Sequence, residues 1–207
     1  MLFRSRIPLQ SGLGGGSSDA AAAIRGLAAL WRVDLPSERL QAIAASLGAD
    51  VPFFLVGGTA LGLDRGELLF PLIDRPAAWV MLALPRFGVS TKEAYGWLDE
   101  TARVHRSKAL RDRKRVRLET LAESEWGNDL EAPVARRHPE IARLKRNLRK
   151  LGAFHAAMSG SGSAVYGLFD TRVGAQAAAS ALAGPGRRTI VTRTLSRKRF
   201  ADRATRM

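Results

Sequence analysis

The chain contains no cysteine, so neither a disulfide nor a thiolate-bound metal is open to it, in keeping with a reducing compartment. It has no apolar run long enough, or free enough of Arg and Gly, to span a bilayer. Its opening residues, MLFRSRIPLQ, lack the apolar stretch of a secretory signal. These absences together make a soluble, cytoplasmic protein the expectation. No Gly-Lys-Ser/Thr follows a glycine loop, which excludes a Walker A site, and no GxGxxG follows a strand, which excludes a dinucleotide fingerprint.

Negative charge is scarce. Nineteen Asp and Glu stand against 33 Lys and Arg, for a net charge of +14 at pH 7. Such an excess suits an anionic partner, but its location matters. Residues 103–117 carry Arg103, Arg106, Lys108, Arg111, Arg113, Lys114, Arg115 and Arg117 against Asp112 alone. Arg193, Arg197, Lys198, Arg199, Arg203 and Arg206 crowd the C-terminal stretch. Neither run is interleaved with the aromatics that stack bases in single-strand binders. We read both as solvated, with nucleic-acid binding as the less favoured alternative.

What is present is an ordinary globular chain of 207 residues, 46% hydrophobic and 25% charged, enough for one large domain or two small ones. Helical spacing places Ile24, Leu27, Ala28 and Trp31 on one face of a helix that Ser17 or Ser18 would cap. A second helix opens near Pro36 and Ser37, with Leu40, Ile43, Ala44 and Leu47 inward and Gly48 closing it. Residues 59–63 and 68–72 read as strands joined at Arg65-Gly66. After a break at 74–76, a buried strand is expected over 79–84 and a helix over 91–100. Further helices follow over 118–125, 129–135, from Pro139 and over 172–182. The helix from Pro139 would turn Ile141, Leu144, Leu148 and Leu151 inward. Strands end near Met158 and cover 163–169 and 189–195. The order predicts an α+β fold with helices on one face of an antiparallel sheet.

Three stretches carry chemistry. In Ile7-Pro8-Leu9-Gln10-Ser11-Gly12-Leu13-Gly14-Gly15-Gly16-Ser17-Ser18, four glycines allow close backbone approach to a ligand. The helix that follows offers unpaired N–H groups to an anion, and the Ser17 and Ser18 hydroxyls can meet phosphate or Mg2+. The same pattern also fits a flexible turn with capping serines. Asp50, in Gly48-Ala49-Asp50-Val51-Pro52, is a lone carboxylate beyond a helix end. It suits either a general base or a cap for the segment after Pro52. Ser159-Gly160-Ser161-Gly162-Ser163 is a small, hydroxyl-rich turn, able to meet phosphate or simply to join two strands.

Pro8-x-x-x-Gly12-Leu13-Gly14-Gly15-Gly16-Ser17-Ser18-Asp19-Ala20 resembles the second motif of the GHMP kinases. The triple-glycine form resembles their diphosphocytidyl-methylerythritol kinase branch in particular. Gly48-Ala49-Asp50-Val51-Pro52-Phe53-Phe54 is similar to the element holding that branch's catalytic aspartate, and Ser159–Ser163 to its third motif.

The resemblance implies a partial ribosomal S5 domain 2-like lobe (1–75), a ferredoxin-like lobe (76–197) and a basic tail (198–207). It implies ATP-dependent phosphorylation of the 2-hydroxyl of a cytidine-diphosphate-linked sugar alcohol for isoprenoid synthesis, with Mg2+ on the phosphates. Asp50 would be the base, and Pro8, Leu9, Gln10, Ser11, Gly12, Leu13, Gly14, Gly15, Gly16, Ser17 and Ser18 the ATP loop. Thr91, Tyr95, Ser159, Gly160, Ser161 and Gly162 would face the substrate, Tyr95 by stacking on the pyrimidine; packing of Tyr95 into the core is the alternative. Asn128-Asp129-Leu130-Glu131 also looks like the family and reads as a helix start. The family further implies a longer segment before the loop, with a lysine that assists catalysis. Met1–Arg6 does not match it, so the first lobe is expected to be incomplete and the chain as it stands inactive or poorly folded, a monomer or homodimer. Another GHMP kinase acting on a different alcohol is the nearest rival reading.

Overall fold

A computed structural model describes residues 7–109 and 127–204, with backbone alone from 102 to 109. The expected helix over 118–125 and most of the basic run over 103–117 lie outside the described residues. The chain divides into two compact units. One holds residues 14–78 together with the stretch from Arg193 onward; the other holds Ile7–Leu13 and Trp79–Thr192. The observed division therefore differs from a simple split after 75, because the chain's end joins the first unit and the start of the glycine loop joins the second.

In the first unit, α1 (Gly15–Trp31), α2 (Ser37–Leu47) and α3 (Phe53–Val56) precede a hairpin of β1 (Ala60–Leu63) and β2 (Leu68–Pro71), and α8 (Arg197–Ala204) closes the chain. Helix α1 is capped three residues before Ser17. Its N-cap is Gly14, in the left-handed region at φ 65°, with no side-chain cap bond. Ser18 turns back to donate to Gly15 O instead. Gly48 does not close α2 in left-handed fashion either: at φ 165° it is extended and gives its N–H to Ala44 O. The core is small, Ala21, Ala44 and Val51 with Ala20, Ile24, Phe54 and Leu55 packed on it. Leu27 and Trp31 remain 43% and 66% exposed, so the inward stripe read over α1 is only partly covered.

The hairpin and the C-terminal helix are joined by one carboxylate. Asp74 accepts from the Thr59 N–H at 2.9 Å and from the Arg197 N–H at 2.7 Å. The Arg197 guanidinium donates to Thr59 O at 2.7 Å. Residues 198–204 of the stretch read as a basic tail are thus helical, because Arg197, which opens α8, has backbone partners to hold.

The second unit is a β-α-β-β-α-β arrangement: β3 (Trp79–Pro85), then α4 (Thr91–Ala109), α5 (Glu131–Arg137) and α6 (Pro139–Lys150), then β4 (His155–Met158), β5 (Val165–Phe169), α7 (Arg172–Leu182) and β6 (Arg187–Arg193). Strand order is β4-β5-β3-β6, with β5 antiparallel to both β3 and β4. This is the ferredoxin-like order. Register puts Met81 opposite Gly167 and Ala83 opposite Val165, while Met158 also faces Val165. Because strand side chains alternate, Met81, Ala83, Ala156, Met158, Val165 and Phe169 share one face. Ile141, Leu144 and Leu148 of α6 and Ala175, Ala178 and Leu182 of α7 cover it. Leu151 falls beyond the end of α6 and stays 37% exposed, so the helix is one residue shorter on its inner face than its periodicity suggests.

Two outcomes follow. Leu148→Ala, at a fully buried position, should cost about 2–5 kcal/mol in denaturant unfolding of the second unit; a cost below about 1 kcal/mol would show a looser core. Two backbone N–H bonds, reinforced by Arg197, hold the Asp74 carboxyl below its ordinary 3.8. A depressed carboxyl stabilises the fold above its unfolded pKa and loses that contribution as pH falls through the folded value. Asp74→Asn should therefore flatten the acid limb of the first unit's melting curve below about pH 4, while an unchanged limb would rule the latch out.

Candidate functional site

The glycine loop is built in two halves. Its first half, residues 7–13, lies in the second unit as a run of bends and turns against the turn after β4. Ser163 N–H donates to Gln10 O at 3.2 Å, Ala164 N–H to Ser11 O at 3.0 Å and Val89 N–H to Gln10 O at 3.0 Å. Ser159 Oγ donates to Gly12 O at 2.8 Å, and Ser11 Oγ to Pro8 O. Backbones come so close here that a Cβ on Gly12, at φ 71°, would sit 1.9 Å from Ser159 O. Pro8, Leu9 and Gln10 are exposed, and Leu13 is half-buried.

The second half opens α1 in the first unit. Gly14 must be glycine twice over, since its φ is 65° and a Cβ would meet the Phe54 ring at 2.6 Å. Beyond it the N–H groups of Gly15, Gly16 and Ser17 have no acceptor among the described residues, and the first intrahelical bond is Ser18 N–H to Gly14 O. Those open amides and the positive end of a 17-residue helix face the same way, an arrangement suited to phosphate oxygens. A Cβ at Gly16 would meet nothing within 4 Å. The Ser17 hydroxyl has no partner among the described residues.

Asp50 lies in the turn after α2 in this same unit and is exposed. It caps nothing: α3 is capped at Pro52, without a side-chain bond. Among the described residues its carboxylate has no hydrogen-bond or ion-pair partner. Val51, 2% exposed, anchors the turn by its bond to Gly48 O, so the backbone is held while the carboxylate is left uncommitted.

In the second unit Thr91 Oγ1 lies 3.2 Å from Ser161 Oγ, which joins the start of α4 to the tip of the Ser159–Ser163 turn. Ser163 Oγ donates to Phe87 O. Tyr95 does not enter the core. It is 55% exposed on the wall of a cleft of about 550 Å3, shared with Leu98, Asn128, Ser159, Gly160 and Tyr166. Burial, and after it the nearby Glu131, pushes the Tyr166 phenol above its ordinary value. Tyr166 and Asn128 are the residues that sequence reading left out of the site. Tyr166 sits where strand alternation turns it away from the core, which the sequence pattern alone could have shown. The contacts of Asn128 span 30 and 32 residues and leave no local signal.

Gly12→Ala should destabilise the second unit by about 2–4 kcal/mol, from left-handed strain and forced backbone separation. Thermal unfolding of the variant checks this, and a wild-type melting temperature would mean the loop is free to withdraw.

Comparison with known proteins places these pieces. Models of the GHMP kinase N-terminal domain and C-terminal domain match residues 1–58 and 107–188. A 4-diphosphocytidyl-2-C-methyl-D-erythritol kinase from Exiguobacterium sibiricum is 41% identical over 194 residues, covering 93% of this chain and 68% of that protein. One of the same name from Solibacter usitatus is 44% identical over 177 residues, covering 83% and 56%. The chain thus spans 56% to 68% of the length of these relatives. A crystal structure of 4-(cytidine 5'-diphospho)-2C-methyl-D-erythritol kinase superposes with a TM-score of 0.71 at 34% identity, over 92% of this chain and 68% of that one. A homoserine kinase from Cytophaga hutchinsonii, at 19% identity and a TM-score of 0.61, shares the fold. The glycine loop, the ferredoxin-like second unit and these matches at both ends agree: this chain belongs to the GHMP kinases, enzymes that transfer phosphate from ATP to an alcohol group.

Proposed function

We propose that this chain phosphorylates the 2-hydroxyl of 4-diphosphocytidyl-2-C-methyl-D-erythritol with ATP, a step toward isoprenoid precursors. Two relatives of that name at 41% and 44% identity support the substrate. The observation that carries the chemistry is the uncommitted carboxylate of Asp50, in the same unit as the open amides of Gly15, Gly16 and Ser17. In this reading those amides, the start of α1 and the Gly12–Gly14 backbone hold ATP phosphate oxygens. Asp50 takes the proton of the substrate hydroxyl as its oxygen bonds to the γ-phosphorus, while the bridging P–O bond to ADP breaks. Thr91, Tyr95 and the Ser159–Gly162 turn meet the substrate, with the exposed Tyr95 ring as a face for the pyrimidine.

No group of three or more His, Asp or Glu side chains stands ready for a metal among the described residues. That suits Mg2+ held chiefly by nucleotide phosphates and water, with few protein oxygens; the free Ser17 hydroxyl is the one we assign. When bound, Mg2+ supplies neutralising charge on the phosphates.

Incubation of the chain with ATP, Mg2+ and the cytidine-linked alcohol, followed by 31P NMR, should show a new phosphomonoester. Asp50→Asn should lower kcat by about 10^2–10^4 with an unchanged KM for ATP, the signature of a lost general base. A variant that turns over like wild type would remove Asp50 from the mechanism, and phosphorylation of a different alcohol in preference to this one would sink the substrate assignment.

A further inference from the structure

Asn128 precedes α5, and on sequence grounds it is no more than a helix start. Its side chain does cap, since Oδ1 accepts from Leu130 N–H at 3.0 Å. The other end does something a helix start has no need of. Nδ2 carries two N–H groups, and both are used on the turn after β4: one donates to Met158 O at 3.0 Å, the other to Gly160 O at 2.7 Å. Glu131, three residues on, accepts from Met158 N–H at 2.9 Å with one carboxylate oxygen and pairs with Lys145 through the other. Both backbone groups of Met158 are therefore held by the entrance to α5.

The consequence lies in the Gly160–Ser161 peptide. It is trans, so its C=O and N–H point in opposite directions within one plane. Fixing Gly160 O on Asn128 fixes the Ser161 N–H on the far side of that plane. This N–H has no acceptor among the described residues, although Ser161 is only 8% exposed. Of the neighbouring amides, Ser159 is spent on Ala164 O, Gly162 on Ser159 O and Ser163 on Gln10 O, while the Gly160 N–H, also without an acceptor among the described residues, belongs to an exposed residue. A backbone donor in a nearly buried residue is rarely left without a partner. Gly160, at φ 51°, supplies the left-handed bend that lets its carbonyl turn toward Asn128.

We propose that Asn128 is a positioning residue, which by gripping the carbonyls of Met158 and Gly160 aims the Ser161 amide at an anionic oxygen of a bound phosphate or diphosphate. This rests on the reading of the Ser159–Gly162 turn as part of the kinase site. Asn128 itself touches no reacting atom. Its replacement by aspartate keeps the acceptor for Leu130 N–H, removes both donors and sets a negative oxygen against two carbonyls.

The test follows the 15N-labelled Ser161 amide as inorganic pyrophosphate is added to the full chain. In wild type the Ser161 resonance should move on titration. In Asn128→Asp the midpoint should rise at least roughly tenfold, the worth of one well-aligned bond to a charged oxygen. Should that variant lose its fold, Asn128→Ser, whose hydroxyl still caps Leu130, decides the matter with the same expectation. A purely structural role for Asn128 would lower the melting temperature and leave the Ser161 midpoint where it is. That result, or a wild-type Ser161 that never responds, overturns the proposal. A wild type that binds pyrophosphate at Ser161 yet phosphorylates a different alcohol in preference to this one removes the substrate assignment and leaves this inference standing.

Discussion

The close approach of two backbones at Gly12 is the constraint on which the second unit's functional edge depends. A looped segment and a tight turn, about 150 residues apart in sequence, meet through its carbonyls, which accept from two backbone N–H groups and the Ser159 hydroxyl of the turn. Only hydrogen on the Gly12 Cα fits, because a Cβ would overlap a carbonyl oxygen. With that contact made, Ser11 and Gln10 carbonyls are satisfied by Ala164 and Ser163, and the turn has one available shape. Backbone groups in such a place must find partners or carry the full cost of desolvation. The register of the segment is thereby set without a large side chain to anchor it.

The same economy of side chains recurs at the other glycines. Gly14 lets the chain swing into α1 against the Phe54 ring, which leaves the first-turn amides open. In the proposed reading, backbone groups of this chain do most of the holding of the phosphates. Phosphoryl transfer is dominated by positioning and by neutralising charge on non-bridging oxygens, and backbone N–H groups do this without a protonation state to maintain. Among the described residues, some of the positive charge is spent on structural partners. Arg197, for example, spends its guanidinium on Thr59 O and its N–H on Asp74, and Arg187 pairs with Glu140.

Much of the architecture was legible in the residues. The period of Ile141, Leu144 and Leu148 and the alternation along Met81 and Ala83 are local signals, and these residues form one buried cluster. Errors came where a local rule met a competing partner. Ser17 and Ser18 are good capping residues, yet glycine at 14 starts the helix earlier because it alone tolerates the left-handed entry beside Phe54. Leu151 has the right spacing but lies past the last helical turn. The α8 segment reads as a charged tail, and becomes a helix because Asp74 holds its start.

The sequence by itself pointed to the family, through the resemblance of its glycine loop and Gly-Ala-Asp-Val-Pro element to GHMP kinase motifs. It also determined the two sets of periodic apolar residues, and hence the helices and strands of the second unit. What only the tertiary structure decided is which groups are occupied and which are left open. Whether Asp50 caps a helix or stays uncommitted, whether Tyr95 enters the core or lines a cleft, and what the Asn128 amide holds are matters of distant partners. Hydrogen bonds between residues 30 or more positions apart leave no period and no spacing to read, so their donors and acceptors become known only once the chain has brought them together.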